Sequence, residues 1–273
     1  MNPRVSVIVP CYNYGNYIEK CIMSVLLQKL DFDIEILVGD DNSTDDSFNI
    51  VRRLKNFYEN ERVKFKIIRH EPNVGEINNT KSLLDSAEGE YIAYLDADDF
   101  WIDPLKMSKQ IEFMDRNKEY SLCVTGQIDF QNNTYIPTPD FSYWLCPVNP
   151  EEMTPEKLSS GNVVGSSSSR FFRNYPGIIK DYFYEFPYSD WPMNFELSLK
   201  EKLNIWTFLD MFTQSTKIHF QRRNCNLLKI LIFYTTKELI YSRKFCLIIL
   251  RIITHDQKNN QKNLGIYPPA EVV

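Results

Sequence analysis

The first half of the chain alternates continuous apolar runs with stretches in which apolar residues recur every three or four positions. Val5-Ser6-Val7-Ile8-Val9 is β-branched and bounded by Pro10, the pattern of a buried parallel strand. Residues 17–28 place Ile18, Ile22, Val25 and Leu26 on one helical face. Ile34 to Val38 forms a second strand, ended by Gly39-Asp40-Asp41-Asn42. Ser43 or Thr44 is the expected cap of the next helix, with Asp45 and Asp46 in its electropositive first turn. Phe48, Val51, Leu54 and Phe57 or Tyr58 line the predicted inner face of that helix. Val63 to Ile68 is a third strand. Residues 76–88 form a helix with Ile77, Leu83, Leu84 and Ala87 inward, stopped by Gly89. Tyr91 to Leu95 is a fourth strand, followed directly by Asp96-Ala97-Asp98-Asp99; Asp103-Pro104 then reads as N-cap and first helical position.

A β-α-β-α series predicts an α/β fold with a mostly parallel sheet and right-handed crossovers. Ligands of such folds bind outside the carboxyl ends of the strands, and both acidic clusters fall there. Beyond residue 130 the pattern loosens, with Pro137, Pro139, Pro147, Pro150 and Pro155 interrupting it. Residues 161–173 read as a loop entering a strand, and residues 182–195 are dense in aromatics.

The composition, 43% hydrophobic and 25% charged over 273 residues, excludes wholesale disorder. A formal net charge of −5 argues against a dedicated nucleic-acid binder. The apolar run at Val5 is too short for a signal-peptide core and has no small-residue cleavage site after it. Cys11, Cys21, Cys123, Cys146, Cys225 and Cys246 form no C-x-x-C pair, which suits a reduced, cytoplasmic chain using cysteine as a small apolar residue. From Lys217 to Arg251 the charge reverses: eight basic residues stand against one acid, Glu238, among long apolar runs. Those runs are broken by charge before the roughly 20 residues that span a bilayer. Two readings stand: a basic, apolar helical extension resting peripherally on an anionic membrane surface, or helices packed on the core.

Asp40, Asp41, Asp96, Asp98, Asp99 and Asp103 gather near two strand ends. Carboxylates crowded in one crevice raise one another's pKa unless cations or donors compensate. A hard divalent cation, Mg²⁺ or Mn²⁺, is the usual compensation, and it can hold a diphosphate at the same time. For Asp45, Asp46 and Asp103, solvated loop and cap positions are the preferred reading. Asp96 and Asp98 are harder to explain so, because they directly terminate a buried strand.

Three segments in order resemble the family 2 glycosyltransferases of the GT-A fold: Val5 to Asn13, Val38-Gly39-Asp40-Asp41-Asn42-Ser43-Thr44-Asp45, and Gly89 to Asp99 with its D-x-D. The resemblance covers roughly residues 3–220 and implies a Rossmann-like GT-A domain over 1–220. Within it, 1–115 would form the nucleotide-sugar half and 116–220 the acceptor half, with 221–273 as the helical extension. It implies that Pro10, Tyr12, Asn13, Asp41, Lys81, Asp96 and Ala97 bind the nucleotide-sugar, Asp41 by accepting the uracil imide hydrogen. Asp98 and His219 would bind the metal, Mn²⁺ or Mg²⁺, and Asp99 would orient rather than bind. Ser189-Asp190-Trp191-Pro192 resembles the family's D-W-P variant and makes Asp190 the general base; an N-cap aspartate opening a helix over 191–202 is compatible with that role. Ser167, Ser168 and Trp191 would lie on the acceptor side, although aromatics such as Trp191 equally fill cores. Ser166 to Ser169 has no paired histidine pattern, so a nucleophilic serine is unsupported.

Two positions depart from the family pattern. Ser215-Thr216-Lys217-Ile218-His219 stands where relatives often carry Tyr-Arg-x-His, and Thr80-Lys81 where they often carry Arg-Asn. What the resemblance implies is an inverting transferase moving a single sugar from a UDP-linked donor to a sugar, lipid-linked or protein acceptor. Processive synthases carry a Q-x-x-R-W motif and several membrane spans, neither found here. The alternatives are a catalytically inactive binding subunit and a nucleotidyltransferase, which would need a Gly-rich phosphate loop that Pro10 to Gly15 is not.

Overall fold

The computed structural model describes residues 3–131, 134–136, 154–160, 164, 167–205 and 212–215. Apart from the last two residues of one short helix, these belong to one compact unit, residues 1–158 and 162–221. The extension over 221–273, Pro137, Pro139, Pro147, Pro150, Ser166, Lys217, His219, Cys146, Cys225 and Cys246 lie outside the described residues.

The elements follow the expected alternation: β1 (Val5–Cys11), α1 (Ile18–Leu26), β2 (Ile34–Asp40), α2 (Ser47–Tyr58), β3 (Val63–Arg69), α3 (Glu76–Ser86) and β4 (Tyr91–Tyr94). Then come β5 (Asp99–Trp101), α4 (Lys106–Arg116), β6 (Tyr120–Val124), β7 (Gly126–Gln131), β8 (Thr134–Ile136), α5 (Pro155–Ser160) and β9 (Phe171–Arg173). The last are α6 (Asp190–Lys200), β10 (Lys202–Ile205) and β11 (Phe212–Ser215), and 3₁₀ turns occupy Ser167–Ser169 and Asp181–Glu185.

Seven strands form the main sheet in the order β10-β6-β9-β4-β1-β2-β3. β1 runs parallel to β2 and β4, while β9 is antiparallel to β4 and β6. A smaller sheet has the order β5-β11-β7-β8. Position in the main sheet explains each strand's composition. Central β1 buries Val5, Val7, Ile8 and Val9 completely, at roughly 1.5–3 kcal/mol for each such side chain. Edge strand β3 instead exposes Lys64 and Lys66, charges that discourage a further strand from pairing. Cys11, Cys21 and Cys123 are buried free thiols, used as small apolar residues.

Several element ends differ from expectation. α2 opens at Ser47, and Asp45 Oδ1 accepts the Ser47 N–H at 3.0 Å, while Ser43 and Thr44 bond to Asn13 instead. Its inner face uses Ile50 with Val51 and Leu54, leaving Phe57 exposed. α3 stops at Ser86 because Ala87 turns extended; Gly89 does other work. A Cβ on Gly89 would sit 2.5 Å from the Ser6 backbone nitrogen, so glycine is required where this chain crosses β1. α4 opens at Lys106 rather than Pro104, and Asp103 Oδ1 caps the preceding turn through Leu105 N–H at 2.8 Å. α6 covers 190–200 with Ser189 at its N-cap, so Asp190 is the first helical residue.

Candidate active site

The carboxyl ends of β1 and β2 are joined loop to loop. Asn13, at φ 62°, donates its N–H to Ser43 Oγ (3.0 Å) and accepts the Thr44 N–H on Oδ1 (2.8 Å). Tyr14 N–H reaches Ser47 Oγ at 2.9 Å, and Gly15 N–H reaches Asp45 Oδ2 at 2.8 Å. Asn42 shares the positive φ that asparagine tolerates. Pro10 is half-buried at the end of β1, whereas Tyr12 stands exposed beyond it.

Asp41 is buried and holds the next loop: Val74 N–H donates to Oδ1 at 2.7 Å and Gly75 N–H to Oδ2 at 2.9 Å. Gly75 adopts φ 84° at the entrance of α3, which favours glycine. Each carboxylate oxygen can take a second donor, so Asp41 keeps capacity for a ligand N–H. Neighbouring Asp40 is buried at the end of β2, with Arg69 Nε 3.7 Å away. Lys81 on α3 is partly exposed and pairs with Asp85.

The second acidic cluster follows β4. Ser168 Oγ accepts the Asp96 N–H at 3.0 Å and donates to Asp99 Oδ2 at 2.5 Å. Asp99 N–H turns back onto Asp96 O, and Ala97 between them is buried. Burial, then the charges of Asp99, Asp190 and Asp98, push the Asp96 carboxyl well above the ordinary carboxylate range, against the pull of Arg170. Burial also raises Asp98. Tyr14 belongs to this cluster: burial and the charges of Asp98, Asp96 and Asp99 raise its phenol. The loop after β1 therefore lies against the D-x-D. Among the described residues, no three His, Cys, Asp or Glu side chains converge into a metal-binding group.

Asp190 lies beside this cluster, near enough for its charge to act on Asp96. Ser167 Oγ donates to Asp190 Oδ1 at 2.8 Å, and Arg170 Nη2 lies 2.8 Å from the same oxygen. Adjacent serines of one turn thus hold Asp190 and the Asp96–Asp99 cluster together. Burial alone would weaken the Arg170 charge, but Asp190, Tyr94 and Asp96 outweigh it and raise the guanidinium pKa. The helix carrying Asp190 is pinned by Glu76: Ser189 N–H and Oγ donate to its two oxygens at 3.0 and 2.6 Å. Burial raises the Glu76 carboxyl. Trp191 points elsewhere, donating Nε1–H to Leu158 O at 2.5 Å and packing edge-on against Phe186.

The structure brings together Asp96, Asp98, Asp99, Ser167, Ser168 and Asp190. Pro10, Asn13 and Asp41 stand at the neighbouring strand ends, while Lys81 pairs with Asp85 and Trp191 bonds Leu158. Sequence reasoning missed Tyr14, Glu76, Tyr94 and Arg170. The one available signal for Arg170 was a lone cation between four serines and two phenylalanines, a segment otherwise suited to burial.

The open α/β sheet thus carries carboxylates and tied loops at its carboxyl edge, where ligands of such folds bind. The family described as "Glycosyl transferase family 2" matches residues 6–176, more than half of the chain. The chain belongs to that family. It is 40% identical over 98 residues to a GalNAc(5)-diNAcBac-PP-undecaprenol beta-1,3-glucosyltransferase of Campylobacter jejuni subsp. jejuni, a match covering 36% of this chain and 30% of that protein. The matched stretch spans about a third of the length of the curated relatives it resembles. Among solved structures, S. aureus TarS 1-349 in complex with UDP-GlcNAc superposes with a TM-score of 0.58 at 21% identity, over 83% of this chain and 60% of that one. The mannosyltransferase PcManGT from Pyrobaculum calidifontis, in complex with GDP-Man and Mn²⁺, gives 0.59 at 18% identity, over 81% and 59%. Both likenesses establish the fold.

Proposed function

We propose that the chain is an inverting glycosyltransferase that moves one sugar from a UDP-linked donor to a hydroxyl of a polysaccharide or glycoconjugate precursor. The observation that carries this reading is the turn in which Ser167 bonds Asp190 and Ser168 bonds Asp99 and Asp96. A candidate base and a strand-end acidic cluster are thereby held within one turn of chain. Residues 1–115 would carry the donor and residues 116–220 the acceptor. Pro10, Asn13 and Asp41 would seat the nucleotide, Asp41 through its remaining acceptor capacity. Asp96 and Ala97 would face the ribose and sugar.

A divalent cation fits the D-x-D. Its donors are hard carboxylate oxygens; burial raises both carboxyls, and the neighbouring charges of Asp99, Asp190 and Asp98 raise Asp96 further, a cost that a cation would offset. Asp98 would hold it, sharing it with the donor's phosphates. When bound, such an ion stabilises charge on the departing diphosphate. Asp190 would accept the acceptor's hydroxyl proton on Oδ2 as that oxygen attacks the anomeric carbon. The bond to the UDP oxygen breaks on the opposite face, and its electron pair leaves with the diphosphate. One displacement inverts the anomeric centre.

The test is nucleotide release from a panel of UDP-glucose, UDP-GlcNAc, UDP-galactose and GDP-mannose with Mn²⁺, water serving as acceptor. Asp190→Asn should keep donor affinity and lose roughly 10²-fold or more of the rate. Near-normal release in that variant would remove the base role. A nucleotide-binding module without catalysis would bind UDP and release none from any donor.

A further inference from the structure

The Asp190 carboxylate is gripped on one oxygen only. Ser167 Oγ and Arg170 Nη2 both reach Oδ1, each at 2.8 Å. Among the described residues Oδ2 has no hydrogen-bond partner, and the Asp190 side chain is 38% exposed while that of Arg170 is 0% exposed. The guanidinium lies over the Tyr94 ring, 5.6 Å from its centroid. Its Nε and Nη1 are buried and lack hydrogen-bond partners among the described residues.

Such an arginine is an expensive way to fill a core. Buried N–H groups without acceptors cost free energy, and a buried ion pair is often matched or bettered by apolar residues of similar size. Nor is Arg170 needed to anchor the backbone of α6, because Glu76 already clamps Ser189 through its N–H and its hydroxyl. What Arg170 adds is a contact on the side chain itself, made by Nη2 of a planar guanidinium held over Tyr94.

We propose that Arg170 is a positioning residue: it locks Oδ1 of Asp190 so that Oδ2 alone is presented to the attacking hydroxyl. The inference rests on the reading of Asp190 as the base. It separates two tasks, with Glu76 setting where the helix starts and Arg170 setting how the carboxylate is turned. A misdirection of about 1 Å at a reacting group can cost on the order of 10² in rate, so this rotation is worth fixing.

The experiment is a double-mutant cycle on the full chain, read by Mn²⁺-dependent nucleotide release from the same four donors. Arg170→Lys keeps the charge and loses the planar guanidinium that Tyr94 holds in place. It should lower kcat roughly 10- to 100-fold and leave the donor KM within about twofold. In an Asp190→Asn background it should cost nothing further, because its effect passes through Asp190. An equal loss in both backgrounds would make Arg170 merely structural and overturn the proposal. So would full activity of Arg170→Lys where Asp190→Asn is impaired. Should Arg170→Lys fail to fold, judged by its melting transition, Ser167→Ala removes the other Oδ1 donor and must show the same dependence on Asp190. Asp190→Asn with near-normal release, or no donor cleaved at all, would overturn the base reading itself and this inference with it.

Discussion

At the proposed donor end of the site, side chains serve the backbone; at the proposed acceptor end, they also bind one another. Asn13, Ser43, Asp45 and Ser47 accept main-chain N–H groups and thereby shape the loops after β1 and β2. Asp41 does the same for the loop before α3. Around Asp190, by contrast, Ser167 and Arg170 meet a carboxylate directly, and Glu76, Thr80 and Tyr94 bond to each other behind it. Loops built on backbone bonds give a ligand fixed N–H and C=O positions at little cost in side-chain freedom. A side-chain network can instead set the orientation of one reacting group, but each member is exposed to single substitutions.

The largest expected effect falls where the two ends meet. Asp98→Asn should reduce Mn²⁺-dependent UDP affinity by at least about 10²-fold, beyond what loss of a supporting group causes. Titration calorimetry with and without the metal measures it. Unchanged affinity would place the cation elsewhere and detach the D-x-D from the donor.

A second substitution tests whether the donor end is backbone-built. Asp41→Ala leaves the half-buried N–H groups of Val74 and Gly75 without their carboxylate. The expected loss of unfolding free energy is about 2–4 kcal/mol, read by urea denaturation, together with weaker UDP binding. A stability loss below about 0.5 kcal/mol would mean that water replaces the carboxylate, and would leave Asp41 with ligand recognition alone.

The same contrast explains what the chain's pattern disclosed. A strand buried on both faces admits few polar positions, here mainly Ser6 of β1 and Glu35 of β2, which bond to each other, so β1, β2 and β4 were legible as runs, and acids immediately after them stood out. Asp190 was legible because it opens a helix inside a recognisable D-W-P. Glu76 was not: an acid in a helix's first turn is what the macrodipole favours anyway, yet its carboxylate clamps Ser189 across 113 positions. Arg170 was hidden likewise, since its partners lie on β4 and α6 and pairings between elements have no period. Helix ends shifted by a residue or more wherever a cap residue bonded across loops, as Ser43 does with Asn13.

The smallest expected effect concerns what supports the acceptor-side turn. Gln110 Nε2 bonds Ser169 O and Cys123 O, both at 3.3 Å, and its Oε1 accepts from the fully buried Lys106 Nζ at 2.7 Å. That ammonium lies 4.5 Å from the Trp101 ring centroid. Burial pulls the Lys106 pKa down from 10.5 to about 7, only partly offset by Cys123 and Asp103. Above pH 7 the folded chain therefore releases this proton while the unfolded chain holds it to about 10.5. The unfolded state binds more protons across that window, so Lys106 contributes a stability that rises with pH, by at most about 1.4 kcal/mol per unit. Below pH 7 both states are protonated, the slope vanishes, and the full cost of burying the charge remains. Lys106→Met should lose the slope while Gln110 keeps its two bonds behind the turn. The unfolding free energy of the parent minus that of the variant should climb between pH 7.5 and 9. A flat difference would mean that water or a neighbouring group keeps the ammonium charged. The acceptor-side turn would then rest on a support as insensitive to pH as the backbone bonds of the donor end.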